Sequence, residues 1–234
     1  MPQRFRLDHP GRGVYLALVL ASCTGAPAPV APKGLVPVEV EAVNGWVDRT
    51  TPRLAVMHRF TWLYQDEQAS KGGRGSVRIV PPDSLRFDFA GSLGIGKGSA
   101  AVVGDSAIWV VPDRSVDELV PGISLLWAVL GVAQPPVAGA TLRGLEERGT
   151  TAWQYVVGAD TTTYVQSGNG SLVAEVRQGG KVVGRASVTL TADGHPVKAR
   201  LTVPSVPSKL EITFYATVPA TQFPPEIWAR PVEP

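Results

Sequence analysis

A chain of 234 residues with a formal net charge of +2, 25 glycines, 21 prolines and only 18% charged residues has the length of one sizeable all-β domain and the turn density of short strands. No Lys/Arg stripe interleaved with aromatic residues appears along it, which argues against a nucleic-acid surface. Cys23 is the single cysteine, so no disulfide forms within the chain.

Arg4, Arg6 and Arg12 precede a short apolar run, Val14–Leu20, too short for a permanent transmembrane helix but suited to the core of a signal peptide. The run ends in Leu20-Ala21-Ser22-Cys23, which resembles a bacterial lipobox. That resemblance implies a signal peptide over residues 1–22 and a lipid-modified, palmitate-bearing Cys23. Without it, Cys23 reads as a lone buried thiol. At roughly 0.8 kcal/mol per buried CH₂, two or three acyl chains hold a protein on a membrane almost permanently. Thr24 is not the Asp that retains many lipoproteins in the inner membrane, so the implied location is the periplasmic face of the outer membrane. Residues 23–37, rich in Pro and Ala, read as the lipidated cysteine and a semi-rigid tether, and residues 38–234 as the domain they carry.

Val36, Val40, Val43 and Val47 fall at helical spacing, although Val36, Val38 and Val40 also alternate as in a strand; a short N-terminal helix over residues 38–48 is predicted, weakened by Asn44-Gly45. From residue 53 the alternation is plain. Leu54, Val56, His58, Phe60, Trp62 and Tyr64 share one face, with Arg59, Thr61 and Gln65 opposite. A polar loop is predicted over residues 66–75, then strands over 76–80, 84–90, 99–103 and 105–111. Val116–Val120 reads as one helical turn, and Ser124 as the N-cap of an apolar helix, Leu125–Leu130, stopped by Gly131. That helix is hydrophobic nearly all round and needs burial on most sides. Strands follow over 151–157, 161–166, 171–177, 181–191, 196–203 and 208–217, with Gly-containing turns between several of them, about eleven in all.

Catalytic constellations are missing from this pattern. Gly91–Lys97 satisfies GxxxxGK after a strand, but Gly98 stands where a Ser or Thr would hold Mg²⁺, and a strand rather than a helix is predicted to follow. His58 and His195 lie far apart in sequence without metal-ligand spacing, so no metal and no cofactor is expected. The acidic pairs 66–67, 117–118 and 146–147 read as solvated surface rather than as acid/base couples, and no GxSxG elbow occurs. No enzymatic activity is expected. What remains is an excess of apolar side chains: Phe60, Trp62, Tyr64, Leu85, Phe87, Phe89, Trp109, Leu125, Leu126, Trp127, Leu130, Trp153, Tyr155, Tyr164 and Phe214. These are either plain core or the lining of a ligand cavity roofed by Leu125–Leu130.

The order of these elements, with Arg59–Trp62, Gly75–Ile79, Ser84–Phe89, Gly91–Gly94 and Trp109, resembles the LolA/LolB superfamily of periplasmic lipoprotein-carrier domains. The resemblance implies a mainly β fold with a few helices: a curved, incomplete β-barrel of about eleven antiparallel strands under a helical lid, over a hydrophobic cavity. A lipidated member would resemble LolB, with Leu93–Ile95 as the candidate for its protruding apolar loop. The implied ligands are acyl chains of lipid or lipoprotein, the implied partner a periplasmic carrier protein, and the chain itself is expected to be a monomer. A non-catalytic assembly or stress-sensing lipoprotein that binds a protein partner is the alternative. Metabolic labelling with palmitate checks the anchor: the wild-type chain is expected to take the label and Cys23→Ser to remain unlabelled.

Overall fold

The computed structural model describes residues 30–92, 97–112, 121–205 and 207–231. The expected signal peptide, Cys23, Leu93–Ile95 and the turn predicted over 116–120 lie outside the described residues. Thirteen strands form one antiparallel sheet: β1 (Val36–Pro37), β2 (Ala55–Gln65), β3 (Ser70–Val80), β4 (Ser84–Gly91), β5 (Lys97–Val103), β6 (Ser106–Val111), β7 (Thr141–Glu147), β8 (Thr150–Val157), β9 (Asp160–Ser167), β10 (Ser171–Gln178), β11 (Lys181–Leu190), β12 (Pro196–Val203) and β13 (Ser208–Ala220). Helix α1 spans Val40–Asp48 and helix α2 spans Ile123–Ala128. The strand order is β1-β7-β8-β9-β10-β11-β12-β13-β2-β3-β4-β5-β6, so the sheet does not close and its edges are β1 and β6. It is a curved, incomplete barrel, mainly β, as expected.

Register turns the alternation of single strands into continuous inner rows. Tyr64, Leu210, Leu201, Ala186, Ala174, Tyr164, Trp153 and Gly144 face one another in succession from β2 across to β7. Adjacent residues on a strand point to opposite faces, so this row and its neighbours are all directed inward. Small residues on β10 and β11 leave room for α2: a Cβ on Gly184 would lie 2.4 Å from Leu125 and 2.9 Å from Pro121. Leu125 and Trp127 are consequently sealed from solvent, each such side chain contributing roughly 1.5–3 kcal/mol of burial.

Both predicted helices are present, with corrections. In α1 the valines at helical spacing divide: Val43 and Val47 are buried with Trp46, whereas Val40 is exposed. Val36 belongs to β1, so the alternating pattern applies before the helix and the helical pattern within it. The N-cap of α2 is Gly122 at φ 98° rather than Ser124, which turns its hydroxyl towards Tyr164 instead. Gly131, at φ 84°, follows the helix where a stop was predicted.

Thirteen strands replace the eleven expected because β1 and β7 carried too weak an alternation. In β7 the inward position between Leu142 and Glu146 is Gly144, and a Cβ there would lie 2.5 Å from the Trp46 ring. The polar loop predicted over 66–75 is also shorter, since β3 begins at Ser70. Its Gly73 and Gly75 face inward, and a Cβ on Gly75 would lie 2.4 Å from the Phe60 ring. At Gly144 and Gly75 neighbouring aromatics thus fill the space that the strands' own side chains would occupy, and at Gly73 the backbone of β4 does.

Gly98 of β5 follows the same rule, because a Cβ there would lie 2.3 Å from the Phe89 ring. Gly98→Val is expected to lower stability by about 2 kcal/mol through overpacking, and Phe89→Ala in the same chain to recover part of that loss. Urea denaturation of the two single variants and the double variant measures both effects.

Candidate functional site

Helix α2 and the strap that follows it, residues 129–137, link the β5–β6 turn at one edge of the sheet to β8 and β9 on the other side. The Trp127 indole donates to Gly104 O of the β5–β6 turn at 3.0 Å. On the other side Tyr155 OH donates to Gln134 O at 2.9 Å, and Gln134 N donates to Tyr164 OH at 3.2 Å. Ala133 N donates to Thr50 Oγ1 at 2.9 Å, tying the strap to the end of α1. Burial pushes the Tyr155 hydroxyl far above the ordinary tyrosine range, and that of Tyr164 up to about 12. Both stay protonated and able to donate. Trp153 stacks on Tyr164 with ring centroids 5.4 Å apart and touches Trp46 at 5.9 Å.

This bridge leaves a cavity of about 490 Å³ at its flank. Ile123 and Ser124 of α2, the strap from Gln134 to Val137, and Tyr155, Tyr164 and Val176 of the sheet form its walls. Asp105, Asp160, Arg177 and Gln178 stand at its polar margin. Thr161 Oγ1, in the same lining, is buried and has no hydrogen-bond partner among the described residues. The volume lies within the range of about 300–1,000 Å³ typical of small-molecule sites. A second hollow of about 500 Å³, between residues 65–67 and 202–209, is lined by none of the predicted aromatic residues.

The predicted lining residues fall into three groups. Phe60, Leu85, Leu125, Trp127, Leu130, Trp153 and Phe214 are buried in the packed core, so the interior directly beneath α2 is filled. Trp62, Tyr64, Phe87, Phe89 and Leu126 are half-buried. Trp62 meets Phe89 edge-on at 5.9 Å, and Phe60 meets Phe87 at 5.1 Å. Tyr155, with Tyr164, reaches the cavity wall. Trp109 requires a correction, because it stands on the outer face. A bulge between Ala101 and Val102 shifts the β5–β6 register, and Trp109 pairs with Ala101 on the side of Arg86. There it lies 5.3 Å from the Arg86 guanidinium carbon and donates to Trp228 O at 2.8 Å. Residues 134–137, 157 and 160–162 of the cavity wall were not foreseen, since a proline-rich turn and the polar ends of β8 and β9 carry no apolar periodicity.

No family model and no curated protein matches the chain. Among solved structures, a Vibrio parahaemolyticus domain described as an outer membrane lipoprotein-sorting protein superposes with a TM-score of 0.52 at 8% identity, over 80% of this chain and 95% of that one. The chain has a LolA/LolB-like fold. A DUF1329 family protein from Desulfovibrio piger aligns at 9% identity over 81% of this chain and 95% of its own, with a TM-score of 0.48. A LolA superfamily protein from Nitrosomonas europaea does so at 9% identity over 82% and 98%, with a TM-score of 0.41. In this fold the Gly91–Lys97 motif is followed by strand β5, antiparallel to β4, and not by a helix N-terminus.

The two histidines separated in sequence are neighbours on the fold. Their rings lie 6.0 Å apart, with His58 Nδ1 3.0 Å from Thr217 Oγ1. Among the described residues no three His, Cys, Asp or Glu side chains gather as metal ligands would. Burial, reinforced by His195, lowers the His58 pKa from 6.5 to about 4. The folded chain therefore binds fewer protons than the unfolded chain between these values. The neutral ring's contribution is complete above pH 6.5 and is lost as the pH falls towards 4, by up to about 3 kcal/mol. The urea midpoint of the wild type is expected to drop more between pH 7 and pH 4 than that of His58→Phe, which cannot take up the proton.

Proposed function

We propose that the chain binds acyl chains of lipid or lipoprotein in the cavity beside α2, as a non-catalytic localisation module of the bacterial envelope, held by Cys23 to the periplasmic face of the outer membrane. The cavity is the observation that carries this reading. Its walls are apolar where Ile123, Val137, Tyr155, Tyr164 and Val176 meet, and its margin is polar, an arrangement suited to a ligand with a hydrocarbon body and a polar end. Asp160, Arg177 and Gln178 at the margin offer that polar end charge and hydrogen bonds. The half-buried Trp62, Tyr64, Phe87, Phe89 and Leu126 add apolar surface elsewhere in the fold. The lipoprotein-sorting description of the Vibrio domain, which shares the fold, is in keeping with such a ligand.

Energetically the role asks for a dry cavity and no bond chemistry. A sixteen-carbon chain carries roughly 13 kcal/mol of gross transfer energy out of water, so a receptor that returns it to a membrane needs walls nearly as apolar as lipid.

All the described strands and both α-helices lie between residues 36 and 220, so a chain beginning at Thr24 keeps the whole described sheet. Mass spectrometry of that chain is expected to find co-purified lipid. Val157→Trp, at the exposed mouth of the cavity, is expected to weaken uptake of a fluorescent fatty acid by about tenfold or more while leaving thermal unfolding unchanged. A stripped chain that takes up no fatty acid overturns the proposal. Recovery of a stable cross-linked protein partner without lipid would assign the fold to envelope assembly instead.

A further inference from the structure

The outer face of the sheet carries a charge pattern unrelated to the cavity. Lys198, Thr213, Thr61, Arg74, Ala90 and Lys97 form one outward row across β12, β13, β2, β3, β4 and β5, each residue paired with the next. At a strand spacing of about 4.8 Å the row spans roughly 24 Å. Arg59 stands one outward position along β2 from Thr61. Arg59, Arg74, Lys97 and Lys198 are all exposed, and none takes part in a salt bridge among the described residues.

The remaining charges on this face do not neutralise them. Arg78 and Arg86 share the single carboxylate of Asp88, and Arg200 and Lys209 share that of Glu211. Eight cations face two carboxylates, a net of +6 on the outer side of six neighbouring strands, where the entire chain carries +2. Glu226 and Arg230, in the C-terminal segment whose Ile227 carbonyl accepts from Arg86, add one charge of each sign. The bulge between Phe214 and Ala216 leaves Tyr215 56% exposed next to Arg59.

We infer that this face docks on an anionic membrane surface. Exposed cations within a Debye length of such a surface are each attracted to it, and tyrosine, with an apolar ring and a polar tip, favours the headgroup level. A broad sheet face with charges spread over about 24 Å matches a fluid array of headgroups rather than the single complementary patch of one acidic protein. Among the described residues no helix is long and apolar enough to cross a membrane, so contact through this face is peripheral. The inference does not depend on the cavity or its ligand.

Co-sedimentation with vesicles tests it, using the chain from Thr24 so that no acyl anchor contributes. Binding is expected to phosphatidylcholine vesicles containing about a third phosphatidylglycerol, to be at least about tenfold weaker to pure phosphatidylcholine, and to fade in high salt. The triple variant Arg59→Ser, Arg74→Ser, Lys198→Ser is expected to lose about tenfold or more in binding to the anionic vesicles. Lys33→Ser, Arg148→Ser, Lys181→Ser removes the same charge elsewhere and is expected to bind as the wild type does. Equal binding to both vesicle types, equal losses in the two triple variants, or capture of an acidic protein without any vesicle binding would each overturn the inference. Fatty-acid uptake by the first triple variant is expected to be unchanged, which separates this surface from the cavity.

Discussion

Two tyrosine hydroxyls grip the backbone of one residue, and the placing of the strap across the open curl depends on that grip. Tyr155 donates to the Gln134 carbonyl while the Gln134 amide donates to Tyr164. The strap is irregular backbone inside a protein, where an unpaired amide or carbonyl costs about 1–3 kcal/mol. The tyrosines supply what a neighbouring strand would have supplied. Across the curl α2 is held as well, because its Trp127 donates to Gly104 of the β5–β6 turn. Were the strap to lift, the β5–β6 turn would lose its link to β8 and β9, and Tyr164 with Trp153 stacked on it would face water.

Much of this was legible in the sequence, and the illegible parts share a physical cause. β2 announces itself through Val56, His58, Phe60, Trp62 and Tyr64, because each inward position is filled by its own side chain. β7 and the start of β3 do not. Their inward positions include Gly144 and Gly75, so the apolar mass belongs to Trp46 or Phe60 from another element. A strand whose partner fills its place reads as a loop. Trp109 fails differently: a bulge inserts one residue, and every side chain beyond it changes face.

The candidate site was only partly legible for a related reason. Apolar residues on inward faces are named by alternation, but alternation cannot say which of them meet solvent-filled space. Trp127 and Trp153 are as apolar as Tyr155, yet they are sealed while Tyr155 borders the cavity. The decision rests with turns such as Gln134–Val137, whose sequence is polar and proline-rich. Charge behaves likewise. Lys198 and Arg74 are separated by more than a hundred residues, and only the pairing of β12, β13, β2 and β3 sets them in one row.

The sheet order has a consequence for how such a chain is made. β13, the last strand, lies between β12 and β2, with Ala220 opposite Ala55. β2 to β6 therefore have a free flank until nearly the whole polypeptide is available, and joining the two halves closes a loop of well over a hundred residues. Contacts so distant in sequence slow folding, since chain entropy is spent before they form. For a chain made N-terminus first, the strand that locks the structure is also among the last segments to arrive.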